Sequence, residues 1–547
     1  MIMKKNTLFL SFLLSIFFSI FNFQFSIFNS FAQLNVSFLS QYTYSGNLSN
    51  IWGFAGNGRE YALVGEFYKT SVVDVTDPAH PVEVFHLDAP RSEWREIKTW
   101  SHYAYITHDQ TSSGDTAVGL TIIDLGNLPG DTNLAFSYFT GNQFHFHVAH
   151  DLFIDEHGVC YLFGSNHAPG SHGVIMLDVA TDPMHPHELG TCADSVYVHD
   201  GYARGDTLWA ACIWSGQVQI FNVSDKQHPV EMTTFDTPNH FTHNCWLSDD
   251  SHYLFTTDEK SGAYVASYDV SDFSNIKLLD KFRALPGTGV IPHNTHYKNG
   301  YLVTSYYTYG ITIIDAHNPS NLIEVGHYDT SPFSGDGFHG CWGVYPYLPS
   351  GNILASDIEQ GMFVLGPTYT RACYLEGTLT DLITGDSLFD VNVRILVTND
   401  TVKSSLKGKY STGFATTGAY SVSFYKPGYH PITIDSVVLN TGLTTILNVP
   451  LIPDSIHSGI EKIEKKHSLN AYPIPFSSSL QVEYSIPDVH NATLVMKDVF
   501  GRTVFKRETG ATGRTTIDGD FPDGIYFIFL MSEKGKTEVL KVVRCKM

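Results

Sequence analysis

Between residues 36 and 367 the apolar and polar positions fall into short strand-like runs, and the runs repeat. The phrase SVVDVTDPAHPVEVFHL from Ser71 returns as VIMLDVATDPMHPHELGTC from Val174, VQIFNVSDKQHPVEMTTF from Val218 and ITIIDAHNPSNLIEVGHY from Ile311. Each copy is an apolar strand closed by Asp or Asn, a Pro-bearing turn and a second strand. The closing residues are Asp74, Asp124, Asp178, Asn222, Asp269 and Asp315, and Leu365 takes that place in a seventh copy, GMFVLGP; neighbouring copies lie 44 to 54 residues apart. Ahead of each comes another β-rich run: EYALVGE, HYAYITH, GVCYLFGS, DTLWAACI, SHYLFTTD, GYLVTSYY and GNILASD. Tyr, Val, Ile, Thr and Trp bounded by Gly, Asp and Ser read as strands. About four strands per unit at this period predict a β-propeller. Helical repeats would need apolar positions three and four apart, which these runs lack.

The count is seven blades, over residues 33–368. The seventh unit lacks its outer strand after Pro367, but VSFLSQY (36–42) is similar to LIEVGHY (322–328). The N-terminal segment is therefore expected to complete the last blade, and closing the ring removes the free edges that invite aggregation. Repetition stops near Pro367. Alternating strands with Gly-bearing turns then predict a small β-sandwich over 372–453, a polar linker at 454–467 (DSIHSGIEKIEKKH) and a second sandwich over 468–547. The expected fold class is all-β, a seven-bladed propeller followed by two sandwiches.

The aspartates closing the apolar strands precede turns such as DPAHP and are read as turn residues accepting backbone N–H groups. The acidic pairs Asp155-Glu156 and Asp249-Asp250 are read as solvated hairpin turns. Polar pairs opening each unit's innermost strand are more promising: Ser49-Asn50, Arg95-Glu96, His150-Asp151, His199-Asp200, His243-Asn244, His293-Asn294 and His339-Gly340, spaced by 44 to 55 residues. Equivalent positions around one axis converge on a funnel. The loops after the second strands share its face and bring His108, Asp109, His167, Trp214, Asp258, Glu259 and Glu359, besides Tyr306-Tyr307. His145 and His147 would share one face of a strand.

Two readings of this ring stay open. In one, the His–Asp and His–Asn pairs are hydrogen-bonded links between blades. In the other, three or four of His145, His147, His150, His199, His243, His293 and His339 bind Zn, Cu, Fe or Ni, with a neighbouring carboxylate fixing each tautomer. The candidate ligand-binding funnel comprises Arg95, Glu96, His108, Asp109, His167, Asp200, Trp214, Asp258, Glu259 and Glu359. No GxSxG, Walker, HExxH or EF-hand signature assigns catalytic residues, which stay unknown.

With 547 residues, 43% of them hydrophobic, the chain can bury several cores. Its 55 acidic against 33 basic residues, net −22, disfavour nucleic acid as a partner. Lys4 and Lys5, an apolar run from Leu8 to Phe28 and Ser30-Phe31-Ala32 read as a secretory signal over residues 1–32, cleaved after Ala32; Asn22 and Gln24 argue against an uncleaved anchor. Seven cysteines without a CxxC are expected to be buried strand residues, with one or two disulfides among them of unassigned pairing.

The runs SVVDV, LTIIDL and ITIIDA resemble LVIVD repeats, and residues 34–367 with their flanks resemble the choice-of-anchor B family, which implies no reaction. GTLTDLITGDSL, GAYSVSF and YKPGYHP resemble the carboxypeptidase regulatory-like domain, an accessory sandwich. The order Tyr-Pro-x-Pro-Phe, KDVFGRTV, GIYF and a basic last strand resembles the type A C-terminal sorting domain of the type IX secretion system of Bacteroidetes, although Ile474 stands where that motif has Asn. This resemblance implies engagement of the type IX machinery, removal of the domain, and release or attachment to outer-membrane surface lipopolysaccharide. The preferred expectation is a surface-displayed binding module for a protein, glycan or small ligand. The alternatives are a metal-dependent hydrolase or oxidase and a structural, adhesive module.

Overall fold

A computed structural model of the chain describes residues 33–109, 118–166, 173–398, 400–454, 468–486, 489–532, 535–536 and 539–546. The expected signal segment and linker lie outside them. The described residues are strands and turns without a helix, and they divide into two compact units, 1–454 and 455–547.

Within the first unit, residues 36–367 form a β-propeller. Among the described residues seven antiparallel sheets run from an inner to an outer strand, in chain order in all but the one whose outer strand is Val36–Tyr42. The inner strands are Leu48–Gly56, Ile97–Trp100, Asp151–Ile154, Asp200–Arg204, Thr242–Leu247, Thr295–Lys298 and Cys341–Tyr345, and each packs on the next until the last meets the first. Middle strands lie between neighbouring sheets and are apolar on both faces, as in the fully buried Ile353–Asp357. Outer strands such as Val230–Asp236 are largely exposed.

Two local devices repeat. The strand-closing residues cap their turns as expected: Asp74, Asp124, Asp178, Asn222, Asp269 and Asp315 each accept the backbone N–H two residues on, at 2.8–3.1 Å. In six of the seven sheets the outer strand also carries one extra residue opposite its partner, a bulge that increases local twist.

The N-terminal segment supplies the missing outer strand. Val36–Tyr42 pairs with Gly361–Pro367, from Val36 opposite Pro367 to Tyr42 opposite Met362. Its bulge leaves out Leu39, the position that Val325 holds in Ile323–Tyr328. Gln33–Leu34 adds a fifth strand to the preceding sheet, opposite Tyr328 and His327, which sequence reading did not anticipate.

Residues 373–451 form two small sheets around Leu375, Val391, Phe424 and Leu439. Ala372, Tyr374 and Ala415 share a core cluster with Val325, Ile353 and Leu365 of the propeller. Fully buried Asp315 accepts the Ala372 N–H at 2.6 Å and Arg371 Nε at 3.1 Å. In the second unit, Ser468–Tyr472, Ser479–Ser485 and Thr512–Asp518 face a sheet built on Asn491–Asp498 and Gly524–Ser532, around Leu480, Leu494 and Ile528.

Two expectations need correction. All seven cysteines are free thiols, six buried on strands and Cys545 exposed, so none of the expected disulfides forms. Asp155 is buried rather than solvated, because Tyr161 OH donates to it at 3.1 Å.

Candidate functional site

The start of an inner strand puts consecutive residues on opposite sides, so the polar pairs split into two layers. The first members His150, His199, His243 and His293 line one arc of an axial pocket. Their rings follow one another with centroids 4.1, 4.2 and 4.3 Å apart. The second members turn inward and tie sheet to sheet. Asn50 donates to the Glu96 carboxylate, Lys98 lies 3.3 Å from Glu96 and 3.7 Å from Asp151, Asn244 donates to Asp200 at 2.6 Å, and the Thr295 N–H donates to Asn244 at 3.0 Å. The second layer matches the reading of hydrogen-bonded links between blades, and the first gathers four of the seven candidate metal-binding histidines. Gly340 breaks the series because a Cβ there would sit 2.5 Å from the Tyr307 carbonyl oxygen.

The pocket has a volume of about 490 Å³. Its wall combines the four histidines with Glu259, Tyr307, Trp94, Trp342 and, at the exposed rim, His339 beside Glu359. Glu259 is the centre of its polar side: Oε2 lies 3.7 Å from His243 Nε2, Oε1 lies 3.7 Å from His293 Nε2, and Tyr307 OH donates to Oε1 at 2.6 Å. Tyr307 is held at φ +36°, a sparsely populated conformation of the kind that clusters at functional sites. The Trp342 carbonyl accepts from His293 Nδ1 at 2.6 Å, and Asp109 sits 2.6 Å from His150 Nδ1. Among described residues, His243, Glu259 and His293 are the one metal-competent group, their ligand atoms all within 4.8 Å of one another.

Burial dominates the electrostatics. It holds His199 and His243 well below the usual imidazole range and His293 at about 3, while pushing Glu259 up to about 7 against the Tyr307 hydrogen bond. His150 goes the other way: burial opposes its charge, but the Asp109 hydrogen bond and charge outweigh it. In the inner layer burial pushes Asp200 up to about 6 and Asp151 well above the carboxylate range; Lys98, disfavoured by burial, is raised by Asp151 and Glu96. Trp342 Nε1 is buried at the pocket without a partner, and the rings of His199 and His243 have only a weak backbone partner, the next histidine along the arc.

Several expected site residues lie elsewhere. His145 and His147 are exposed on an irregular connection, so no strand aligns their rings. Arg95 is buried against the Glu66 and Pro90 carbonyls. Glu96 and Asp200 belong to the inner layer. Asp258 is buried and holds a turn through Thr237 OH and the N–H groups of Asn239 and Phe241. Trp214 is 72% exposed beside Tyr197 and Phe241, His108 is buried, and neither lines the pocket. Asp109 acts through His150, and His167 lies outside the described residues. Sequence reasoning missed Trp94, next to the Arg95-Glu96 pair, and Trp342, two residues past Gly340. Proximity to those pairs was the available signal.

Residues 470–544 match the secretion system C-terminal sorting domain, and residues 59–89 and 306–330 match the LVIVD repeat. The sorting domain indicates export through the type IX system, whose machinery it engages, to the cell surface or beyond it. No curated protein matches the chain. Among solved structures, the β-propeller domain of Myceliophteria thermophila Cps50 (Swd1) is similar at 11% identity and a TM-score of 0.42, over 61% of this chain and 100% of that one.

Proposed function

We propose that this exported propeller captures a small ligand, or the end of a longer glycan or peptide, in its axial pocket. One observation carries the reading: a cavity of about 490 Å³, in the size range of small-molecule sites, joins four histidines and Glu259 to the faces of Trp94 and Trp342. The unpartnered Trp342 Nε1 and the weakly partnered His199 and His243 rings in that wall support it, since buried polar groups ordinarily find partners. In this reading the signal peptide is cleaved after Ala32, the propeller spans 33–368 as a choice-of-anchor B module, 372–453 is its carboxypeptidase regulatory-like accessory, and 454–467 links it to a type A sorting domain at 468–547. That domain is removed on export, leaving the rest released or attached to lipopolysaccharide. A structural, adhesive role accounts for the sheets but not for the pocket. Metal-dependent hydrolysis or oxidation is the second reading, favoured by the His243–Glu259–His293 group.

The test uses tryptophan fluorescence of the full chain against a panel of oligosaccharides, short peptides and organic acids. Saturable quenching by at least one member, lost in Trp94→Ala and kept in Trp214→Ala, is the expected result. Binding that Trp94→Ala leaves intact, or no binding across the panel, moves the function away from the pocket.

A further inference from the structure

We infer that His243, Glu259 and His293 hold one divalent transition-metal ion in the wall of the axial pocket. The inference rests on the pocket being the working site and names what it binds first.

The argument begins with protons. A carbonyl oxygen can only accept, so the Trp342 carbonyl, 2.6 Å from His293 Nδ1, fixes the ring hydrogen of neutral His293 on that nitrogen. Nε2 then carries the lone pair and lies 3.7 Å from Glu259 Oε1. That oxygen already accepts from Tyr307 OH. Unless the carboxyl keeps a proton, acceptors face each other here, and His243 Nε2 stands 3.7 Å from the other carboxylate oxygen. A cation between the three resolves the conflict.

Distances fit the same answer. Metal–ligand bonds of about 2.1 Å in tetrahedral geometry place ligand atoms about 3.4 Å apart. The two His–Glu separations run to different oxygens of the carboxylate, and the three ligand atoms lie within 4.8 Å of one another, so the site closes on the ion by a turn of the Glu259 carboxylate and an inward shift of the two rings. Trp342 and Tyr307 are the kind of outer partners that orient ligating histidines and carboxylates. Other His–carboxylate pairs differ: His150–Asp109 and His339–Glu359 are in direct contact at 2.6 and 2.7 Å, with no room for an ion between the bonded atoms. Two imidazoles and one carboxylate suit Zn or Fe and disfavour Ca or Mg, which take oxygen ligands. The remaining coordination position opens to the pocket, beside the His199 ring at 4.2 Å from His243. A carboxylate, hydroxyl or amine of the captured ligand would complete the shell there.

The experiment strips the full-length chain with a chelator and titrates it with ZnCl₂ by calorimetry and with CoCl₂ by visible d–d absorption. One equivalent of each is expected, with a cobalt spectrum of low symmetry. Glu259→Gln keeps an acceptor for Tyr307 and should weaken affinity roughly tenfold or more; the double variant His243→Ala, His293→Ala should abolish the site. His80→Gln, beside Asp77 on an exposed turn that does not line the pocket, should bind as the parent does. Near-UV circular dichroism of each variant reports the fold. A folded parent that takes neither ion overturns the inference, as does equal affinity in the parent and Glu259→Gln. Absent metal with Trp94-dependent quenching intact removes the ion and leaves the pocket; metal uptake with no quenching does the reverse.

Discussion

At the scale of the residue, the inner ring is governed by what burial does to charge. Lys98 is the cation among Glu96, Asp151 and Asp200, with its ammonium 4.7 Å from the centroid of the Trp52 ring. Lys98→Met should cost about 3–5 kcal/mol, because removing one partner strands buried charge. The loss should shrink on acidification as the stranded carboxylates take up protons, which a series of denaturant melts at falling pH would read. His296 is a cleaner probe. It packs on Trp52, Trp246 and Tyr347 with Nδ1 unpartnered, and burial holds its pKa at about 3. The unfolded chain binds the proton near 6.5 and the native state does not, so its contribution is complete above about 6.5 and is lost as pH falls toward 3. His296→Phe should therefore flatten the acid limb of the stability–pH curve while leaving neutral stability nearly unchanged. An unaltered acid limb would assign that slope to other groups, among them His293, at about 3, and His108, at about 4.

At the scale of the element, much was legible because each unit repeats the same local chemistry. The Asp-capped turns and the N-terminal outer strand follow from residues that force their own geometry. The likeness of VSFLSQY to LIEVGHY extends to the bulged position, Leu39 and Val325. Truncation of residues 33–42 should accordingly expose the Gly361–Pro367 edge, lower the melting temperature and produce oligomers visible by light scattering; a monomer of unchanged stability would mean that the strand is dispensable. The site was less legible. Period alone found the four ring histidines, but it could not say which of two adjacent residues faces the pocket, and so Asp200 and Glu96 were placed on the wrong side. His145 and His147 failed because the strand assumed for them does not form. The centrality of Glu259 depends on the strained backbone of Tyr307 in the next blade, a contact across 48 residues that no local pattern encodes.

At the scale of the whole molecule, the propeller and the first sandwich behave as one body. Asp315 closes a propeller strand and also receives Arg371 and the Ala372 N–H, while Asn321 donates to the Thr412 carbonyl at 2.9 Å. Asp315→Ala should leave the buried Ala372 N–H unsatisfied, at about 1–3 kcal/mol, and hasten proteolytic cleavage around Thr368–Thr370. Equal cleavage rates in variant and parent would show that the shared apolar core suffices.

Completing the last blade from the N-terminus has a temporal consequence. Ser37 Oγ reaches the Gly366 carbonyl across 329 residues, so the strand Val36–Tyr42 has no partner strand until nearly the whole ring exists. Loop closure of that length is slow, and until it occurs every intermediate keeps one raw margin. The join between Val36–Tyr42 and Gly361–Pro367 is thus the last pairing of the ring for which both strands have been made, and a chain cut short before Gly361 leaves the ring unsealed.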